Sequence, residues 1–301
     1  MDKPLLIVVT GPTGSGKTDF AIELAEHFGC DIISADSRQI YNGIPIGTAS
    51  PTNSQLERVR HHFVGTLELT DYYSAACFES DVISLLDSLF QKNSVQIMCG
   101  GSMMYVDAVV NGIDELPTIS DDVRSHVVSL YEREGLAGLR MTLRRLDPAF
   151  LEKADPANYR RLIHAIEVTM QAGVPYSSLC TGRKKERPFR VVEFAIAHDR
   201  ETLFARINAR TEAMVGNGLV EEARSVQHMR HLNSLNTVGY KEMFAYFDGT
   251  FTLREATDRL AKNTRVYAKK QLTWLKRNPA IIWLPPDRPF ESALDRINAL
   301  L

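Results

Sequence analysis

In the stretch LIVVTGPTGSGKTDF, Gly11, Gly16, Lys17 and Thr18 stand at the spacing GxxxxGK[ST]. Each type has a physical job there. The glycines let the backbone turn so that its N–H groups face inward, toward the oxygens of a phosphate. A helix N-terminus behind the loop adds a favourable dipole. Lys17 neutralises phosphate charge, and Thr18 can hold Mg²⁺. The loop therefore identifies a phosphorylated ligand and nothing finer. Enzymes that act on a γ-phosphate also need an acidic residue at the end of a second strand and a group that places the attacking nucleophile. The apolar run SVQIMCGGS ends in glycines with no Asp, whereas DIISAD ends at Asp36. Asp36 could serve a metal, act as a general base, or merely cap a turn, as Asp-Ser often does. Local sequence leaves these readings open.

The elements that must position these residues follow from the patterning. Leu5–Thr10 is a continuous apolar run, as in a strand covered on both faces. Ala21, Leu24, Ala25 and Phe28 then recur at helical spacing. DIISAD and SVQIMCGG read as further strands. Strands alternating with helices predict an α/β fold, a P-loop NTPase-like doubly wound parallel sheet core, with ligands at the carboxyl ends of its strands. From about residue 114 to 189 the text turns charged and helical, and at RVVEFAIA the strand pattern resumes. The expected organisation is a core from 1–113 and 190–301 interrupted by an all-helical insertion at 114–189.

Composition excludes several classes. The chain has 301 residues, 44% hydrophobic and 24% charged, which is ordinary for a soluble globular protein. Its net charge of −2 rules out a uniformly basic nucleic-acid binder, so any such binding must come from local patches. Cys30, Cys77, Cys99 and Cys180 form no CxxC, which argues against a zinc or redox dithiol site. The opening MDKPLLIVVT reads as a strand and not a signal peptide, and no 18-residue apolar run occurs. A cytoplasmic, monomeric enzyme is the expectation. One patch stands out. In RLAKNTRVYAKKQLTWLKR, Arg259, Lys262, Arg265, Lys269, Lys270, Lys276 and Arg277 fall on one side of a helical wheel, with no acid among them. Leu260, Tyr267, Trp274 and Leu275 fall on the other, as a core face would. A single-sign stripe on a near-neutral chain suits an RNA backbone, as does the cluster GRKKERPFR. His61 and His62, being adjacent, do not converge on one metal and read as structural. Tyr72, Tyr73, Trp274 and Trp283 read as core or interface.

Several stretches together resemble one family, the tRNA dimethylallyltransferases. They are GPTGSGKT, ISADSRQIYNGIPIGTASP, HHFVGTLELTDYYSAACF, CGGSMMYVDAVVNGIDELP, NYRRLIHAIEV, RINARTEAMVGNGLVEE, VGYKEM and TRVYAKKQLTWLKR, in family order over most of the chain. The resemblance implies transfer of a dimethylallyl group from dimethylallyl diphosphate to N6 of adenosine 37, in tRNAs that read codons beginning with U. Diphosphate leaves. It also implies roles. The loop Gly11, Pro12, Thr13, Gly14, Ser15, Gly16, Lys17 and Thr18, with Mg²⁺ on Thr18 and Arg210 from RINAR, would hold the diphosphate. Thr13 would bond the bridging oxygen of the leaving group, and Asp36 would accept the N6 proton. Asp36, Ser37, Arg38 and Gln39 would surround the adenine, and Ser102 and Arg124 would touch the flipped nucleotide or its neighbours. Arg160, Arg161, Leu162, Ile163 and His164 would hold the anticodon stem-loop, and Arg265 would reach the active site as well. Two positions depart from the family pattern: Ser102, where Thr is usual, and Gly14, where Ala is usual. Competing expectations are a free-adenylate dimethylallyltransferase, which would need neither insertion nor basic stripe, and a P-loop nucleoside or small-molecule kinase. The remaining alternative is a non-catalytic, nucleotide-driven RNA switch, which leaves Asp36 without a task.

Overall fold

The structure is a computed structural model that describes residues 3–300. The ends of the two expected core segments, residues 1, 2 and 301, lie outside the described residues. In chain order the elements are β1 (Leu5–Thr10), α1 (Lys17–Phe28), β2 (Ile32–Ser34), α2 (Pro45–Thr48), α3 (Asn53–Arg58), β3 (His61–His62), α4 (Ala75–Leu89), β4 (Val95–Gly100) and α5 (Met103–Asn111). Then come α6 (Asp121–Leu146), α7 (Pro148–Lys153), α8 (Tyr159–Ala172) and α9 (Tyr176–Leu179). The chain finishes with β5 (Arg190–Ile196), α10 (Arg200–Gly216), α11 (Leu219–Ser225), α12 (Tyr240–Phe247), α13 (Leu253–Leu275), β6 (Ile282–Leu284) and α14 (Pro289–Asn298).

The six strands form one parallel sheet in the order β3-β2-β4-β1-β5-β6. β1 is central, in register with β4 from Leu5↔Val95 to Thr10↔Gly100 and with β5 from Leu5↔Arg190 to Thr10↔Ala195. Strand alternation sorts its side chains. Leu5, Ile7 and Val9 pack with Phe20 and Leu24 of α1 and Ile297 of α14. Leu6 and Val8 point the other way, onto Phe78 and Val82 of α4 and Val106 of α5. Both faces are therefore covered, which is why the run has no polar alternation. Each such fully buried side chain stabilises the fold by about 1.5–3 kcal/mol.

The chain leaves β1 toward β2 on one side and reaches β5 on the other, so a crevice opens at the carboxyl ends of β1 and β4. Here the glycines of CGGS find their reason. A Cβ on Gly100 would lie 2.1 Å from the Ala35 carbonyl oxygen. The backbones of the β2 and β4 ends touch, with Ala35 N donating to Cys99 O (2.8 Å) and Ser102 N donating to Ala35 O (3.2 Å). A strand-end Asp has no room at Gly100.

The helical unit spans Asn111–Lys185 and the core unit the rest, against the expected 114–189. The difference has a cause at each end. Lys185 N donates to Asn111 O (2.7 Å), and Asp114 accepts from Thr181 Oγ1 (2.6 Å) and Gly182 N (3.1 Å), so the neck begins before the composition changes. Residues after 185 belong to the core unit: Arg187 pairs with buried Glu79 (2.6 Å) and Ala108 O (2.7 Å), and Phe189 is buried against Phe90. Within the helical unit, Val127, Leu139, Leu143, Leu162 and Ile166 make a separate core. Asp147, fully buried, caps α7 through Phe150 N (3.0 Å) and takes two bonds from Ser177 (2.6 and 2.7 Å). α6 carries a kink at Gly135, whose φ of 60° leaves helical space.

Two expectations need correction. α13 turns Ala256, Leu260, Thr264, Ala268, Gln271 and Leu275 inward, so its core stripe is mostly small and partly polar. Tyr267 (40% exposed) and Trp274 (38%) sit at the edge of that stripe, only partly covered. Tyr72 is 72% exposed and is not core. His61 and His62 form the edge strand; His61 Nδ1 pairs with Val59 O and His62 Nε2 with Asp31, each at 2.8 Å. Among the described residues no group of three His, Cys, Asp or Glu could hold a metal, and no helix is long and apolar enough to cross a membrane.

Candidate active site

The phosphate loop turns on two left-handed glycines, Gly14 (φ 84°) and Gly16 (φ 87°), and α1 starts at Lys17. A Cβ on Gly14 would meet Ile207 Cγ1 at 3.0 Å, so the glycine here suits both the dihedral and the close approach of α10. α10 is capped by Asp199, which accepts from Thr202 N (2.8 Å). It buries Leu203, Ile207 and Thr211, four residues apart. Arg206 and Arg210, also four apart, therefore share one adjoining face, and that face meets the loop. Arg206 Nε donates to Gly14 O (2.7 Å), and Arg210 donates to Thr13 Oγ1. His198 Nε2 pairs with Ser15 O (2.9 Å).

From the far side, α13 contributes Gln271, 2% exposed. Its Oε1 accepts from Thr13 N (2.9 Å) and its Nε2 donates to Gly101 O (2.8 Å). This one amide ties the loop to the end of β4. The Thr13 N–H is thereby engaged by protein and not aimed at phosphate.

Charge in the crevice is unbalanced. Burial holds the Lys17 ammonium below its ordinary pKa; the nearby Cys99 and Asp36 oppose that shift and Arg210 adds to it. Arg210 is also lowered by burial, with Asp36 opposing and Arg206 adding. Lys17 and Arg210 thus share the field of one carboxylate, and the surplus is positive. Such a site is short of an anion.

Asp36 sits in the turn after β2. Its Oδ1 accepts from Arg38 N (2.9 Å) and Gln39 N (3.3 Å), so it does cap the turn. Its Oδ2 takes no hydrogen bond from the described residues, which leaves one oxygen for chemistry. Ser102, just before α5, accepts from Ser37 N (2.8 Å) and donates to Ser37 Oγ (3.1 Å), fixing the Asp36 turn to the end of β4. Arg38 donates to Asn233 O (2.9 Å), and Gln39 Nε2 to Thr48 O (3.2 Å) and Ala49 O (2.9 Å).

The structure thus brings together Thr13, Lys17, Arg210, Asp36, Ser37 and Ser102. Thr18 is the second residue of α1, and Ser15 Oγ is buried with no hydrogen-bond partner. An all-oxygen set of hydroxyl and carboxylate suits Mg²⁺, which keeps few protein ligands and completes its shell with phosphate and water. Arg265 instead bonds Asn208 and lies over Phe204. The residue of α13 that reaches the loop is Gln271. In the helical unit, Arg124, Arg160, Arg161 and His164 are exposed, Ile163 is half-buried, and Leu162 is fully buried in that unit's core. The Leu162 side chain therefore has no surface to offer an RNA. Arg206, His198 and Gln271 escaped the sequence reading. Only Arg206 carried a signal, its i, i+4 spacing to Arg210.

Cys99 lies beside Lys17, its Sγ 3.6 Å from Lys17 O. Burial pushes its thiol up to about 12, Lys17 opposing, and burial does the same to Cys30. At pH 8 that leaves about one thiolate in ten thousand. Iodoacetamide should therefore modify exposed Cys180 in the native protein and spare Cys30 and Cys99. Peptide mass spectrometry reads the result, and early label on Cys99 would contradict the burial.

A P-loop with a cationic cradle and a carboxylate beside it defines a class of phosphate-binding enzymes. Comparison with known proteins narrows it. The IPP transferase profile matches residues 39–278. The tRNA dimethylallyltransferase 2 of Parabacteroides distasonis is 52% identical over 282 residues, 94% of each chain. The tRNA dimethylallyltransferase 1 of Phocaeicola vulgatus is 51% identical over 286 residues, 95% of each. The crystal structure of the tRNA isopentenylpyrophosphate transferase from Bacillus halodurans superposes with a TM-score of 0.70 at 31% identity, covering 99% of this chain and 95% of that one. The chain belongs to the IPP transferase family.

Proposed function

We propose that this protein transfers a dimethylallyl group from dimethylallyl diphosphate to N6 of adenosine 37 in tRNA. The observation that carries the reading is the pairing of a positive diphosphate cradle, Lys17 with Arg210, and a carboxylate, Asp36, that keeps one oxygen unengaged. In the reaction the N6 nitrogen forms a bond to C1 of the dimethylallyl group. The C1–O bond breaks, its electron pair leaves with diphosphate, and Asp36 Oδ2 takes the N6 proton. An exocyclic amine is a weak nucleophile, so the base and the neutralised leaving group are both needed. Lys17, Arg210 and the loop amides would stabilise the diphosphate as it departs. Mg²⁺, held through Thr18, would add charge neutralisation on the diphosphate oxygens. Exposed Arg124, Arg160, Arg161 and His164 would grip the anticodon stem-loop, and the α13 stripe its backbone. We propose a cytoplasmic monomer, acting on tRNAs that read codons beginning with U.

Labelled dimethylallyl diphosphate, Mg²⁺ and unmodified tRNA test this directly: label is expected in the tRNA. ATP is offered in parallel. Phosphate release without labelled tRNA would replace this reading with a kinase or a nucleotide switch. Label in free adenylate but not in tRNA would replace it with the adenylate transferase. The helical unit, with its own core, speaks against that last outcome.

A further inference from the structure

Glu222 lies in the first turn of α11, in the run LVEEAR, where the helix dipole alone would favour an acid. The structure gives it other work. Its Oε2 accepts from Ile46 N (2.7 Å), and its Oε1 from Gly47 N (2.7 Å) and from Tyr240 Oη (2.6 Å). Charge-assisted bonds of this length are about twice as strong as neutral ones. Burial and the Glu222 carboxylate push the Tyr240 phenol well above its ordinary range, so it stays a donor. Tyr240 is fully buried, and the same hydroxyl lies 3.2 Å from Ile44 O. A Cβ on Gly47 would lie 2.5 Å from Tyr240 Oη, so the contact admits nothing larger than glycine.

What Glu222 holds is the short α2 turn, and that turn holds the adenine side of the site. The carbonyls of Thr48 and Ala49, at its end, accept both bonds of Gln39 Nε2. The Gln39 backbone N–H in turn donates to Asp36 Oδ1 (3.3 Å). The path from Glu222 to Asp36 therefore runs through amides 46 and 47, carbonyls 48 and 49, and Gln39. No member of it touches the diphosphate cradle. We propose that Glu222 is a positioning residue for the Asp36 carboxylate, acting through the α2 turn and Gln39. The inference rests on the proposed function for its catalytic consequence, though not for its structural one.

Glu222→Gln tests both. The amide keeps the shape but turns one acceptor into a donor facing a donor, an N–H or the Tyr240 hydroxyl. Two measurements are made. Hydrogen exchange, which needs no substrate, should quicken at Ile46 and Gly47 and also at Arg38 and Gln39. Exchange quickened at Ile46 and Gly47 alone would overturn the coupling to Asp36. Single-turnover prenyl transfer at saturating substrates should fall about ten-fold or more, while the Kd for inorganic pyrophosphate stays within about two-fold of wild type. An unchanged rate, or a rate and a pyrophosphate Kd that worsen together, would overturn the positioning role. If the wild type itself transfers no prenyl group, the reading of function fails and the exchange result still decides the coupling. Tyr240→Phe removes a single bond of the set. It serves by the same criteria if Glu222→Gln does not fold, with a smaller loss of rate expected.

Discussion

Asp36→Asn lowers the single-turnover rate of prenyl transfer by about 10²–10⁴-fold, the usual worth of a positioned general base, and leaves diphosphate binding intact or slightly tighter. The asparagine isolates the chemistry. Its carbonyl oxygen can still accept from Arg38 N and Gln39 N, so the turn survives. What disappears is the proton-accepting oxygen. The direction of the binding effect follows from the field in the crevice. The Asp36 carboxylate offsets the charge of Lys17 and Arg210. Removing it leaves those cations less compensated, which favours an incoming anion. Equilibrium binding of pyrophosphate with Mg²⁺, set beside the transfer rate, separates the two roles left open by the sequence. A Kd raised in step with the rate loss would move Asp36 to the metal. Asp36→Ala should lose more than Asp36→Asn, because it also removes the turn cap, worth about 1 kcal/mol in comparable settings.

The parts of the site that lie on one short stretch were legible before any fold was known. Gly11, Gly16, Lys17 and Thr18 announce their geometry by spacing alone, and the apolar runs around them announce a buried parallel sheet. Asp36 was visible as a residue but not as a role, because capping and catalysis use the same carboxylate. In the structure the cap uses Oδ1 alone, which leaves Oδ2 for the proposed role. Residues that act across the fold were hidden. Gln271 sits in a run that reads as basic and solvated, yet α13 packs closely through Ala256, Thr264 and Ala268 and brings this amide inward. The same close packing displaces Tyr267 and Trp274 to the edge, where hydropathy alone placed them in the core. Glu222 carried no signal that set it apart from its acidic neighbour Glu221, which is exposed. The missing Asp after β4 was read correctly as an absence, but its cause is steric: Gly100 lies against the Ala35 carbonyl.

Lys17→Met weakens diphosphate binding by about 10²–10³-fold, the worth of one or two charge-assisted hydrogen bonds, and at the same time raises the melting temperature of the ligand-free protein. The second half follows from the sign of the Lys17 shift. Burial lowers its pKa in the folded state, so the folded chain holds this proton less tightly than the unfolded chain does. Between the lowered folded value and the ordinary lysine range the unfolded state binds more protons, and stability rises with pH across that window. Below the window both states are protonated, and the cost of the desolvated ammonium is carried in full. Methionine keeps the length and the apolar stem and removes the charge, so this cost vanishes at neutral pH and the melting temperature rises. The gain should shrink as pH climbs toward 10, because the wild type is then relieved of the same cost. Thermal melts with and without pyrophosphate, at pH 7 and pH 10, check all of this. Wild type should be strongly stabilised by the ligand and Lys17→Met hardly at all. A ligand-free variant that melts below wild type at pH 7 would mean that Asp36 already compensates the lysine, and that the crevice has no surplus charge waiting for an anion.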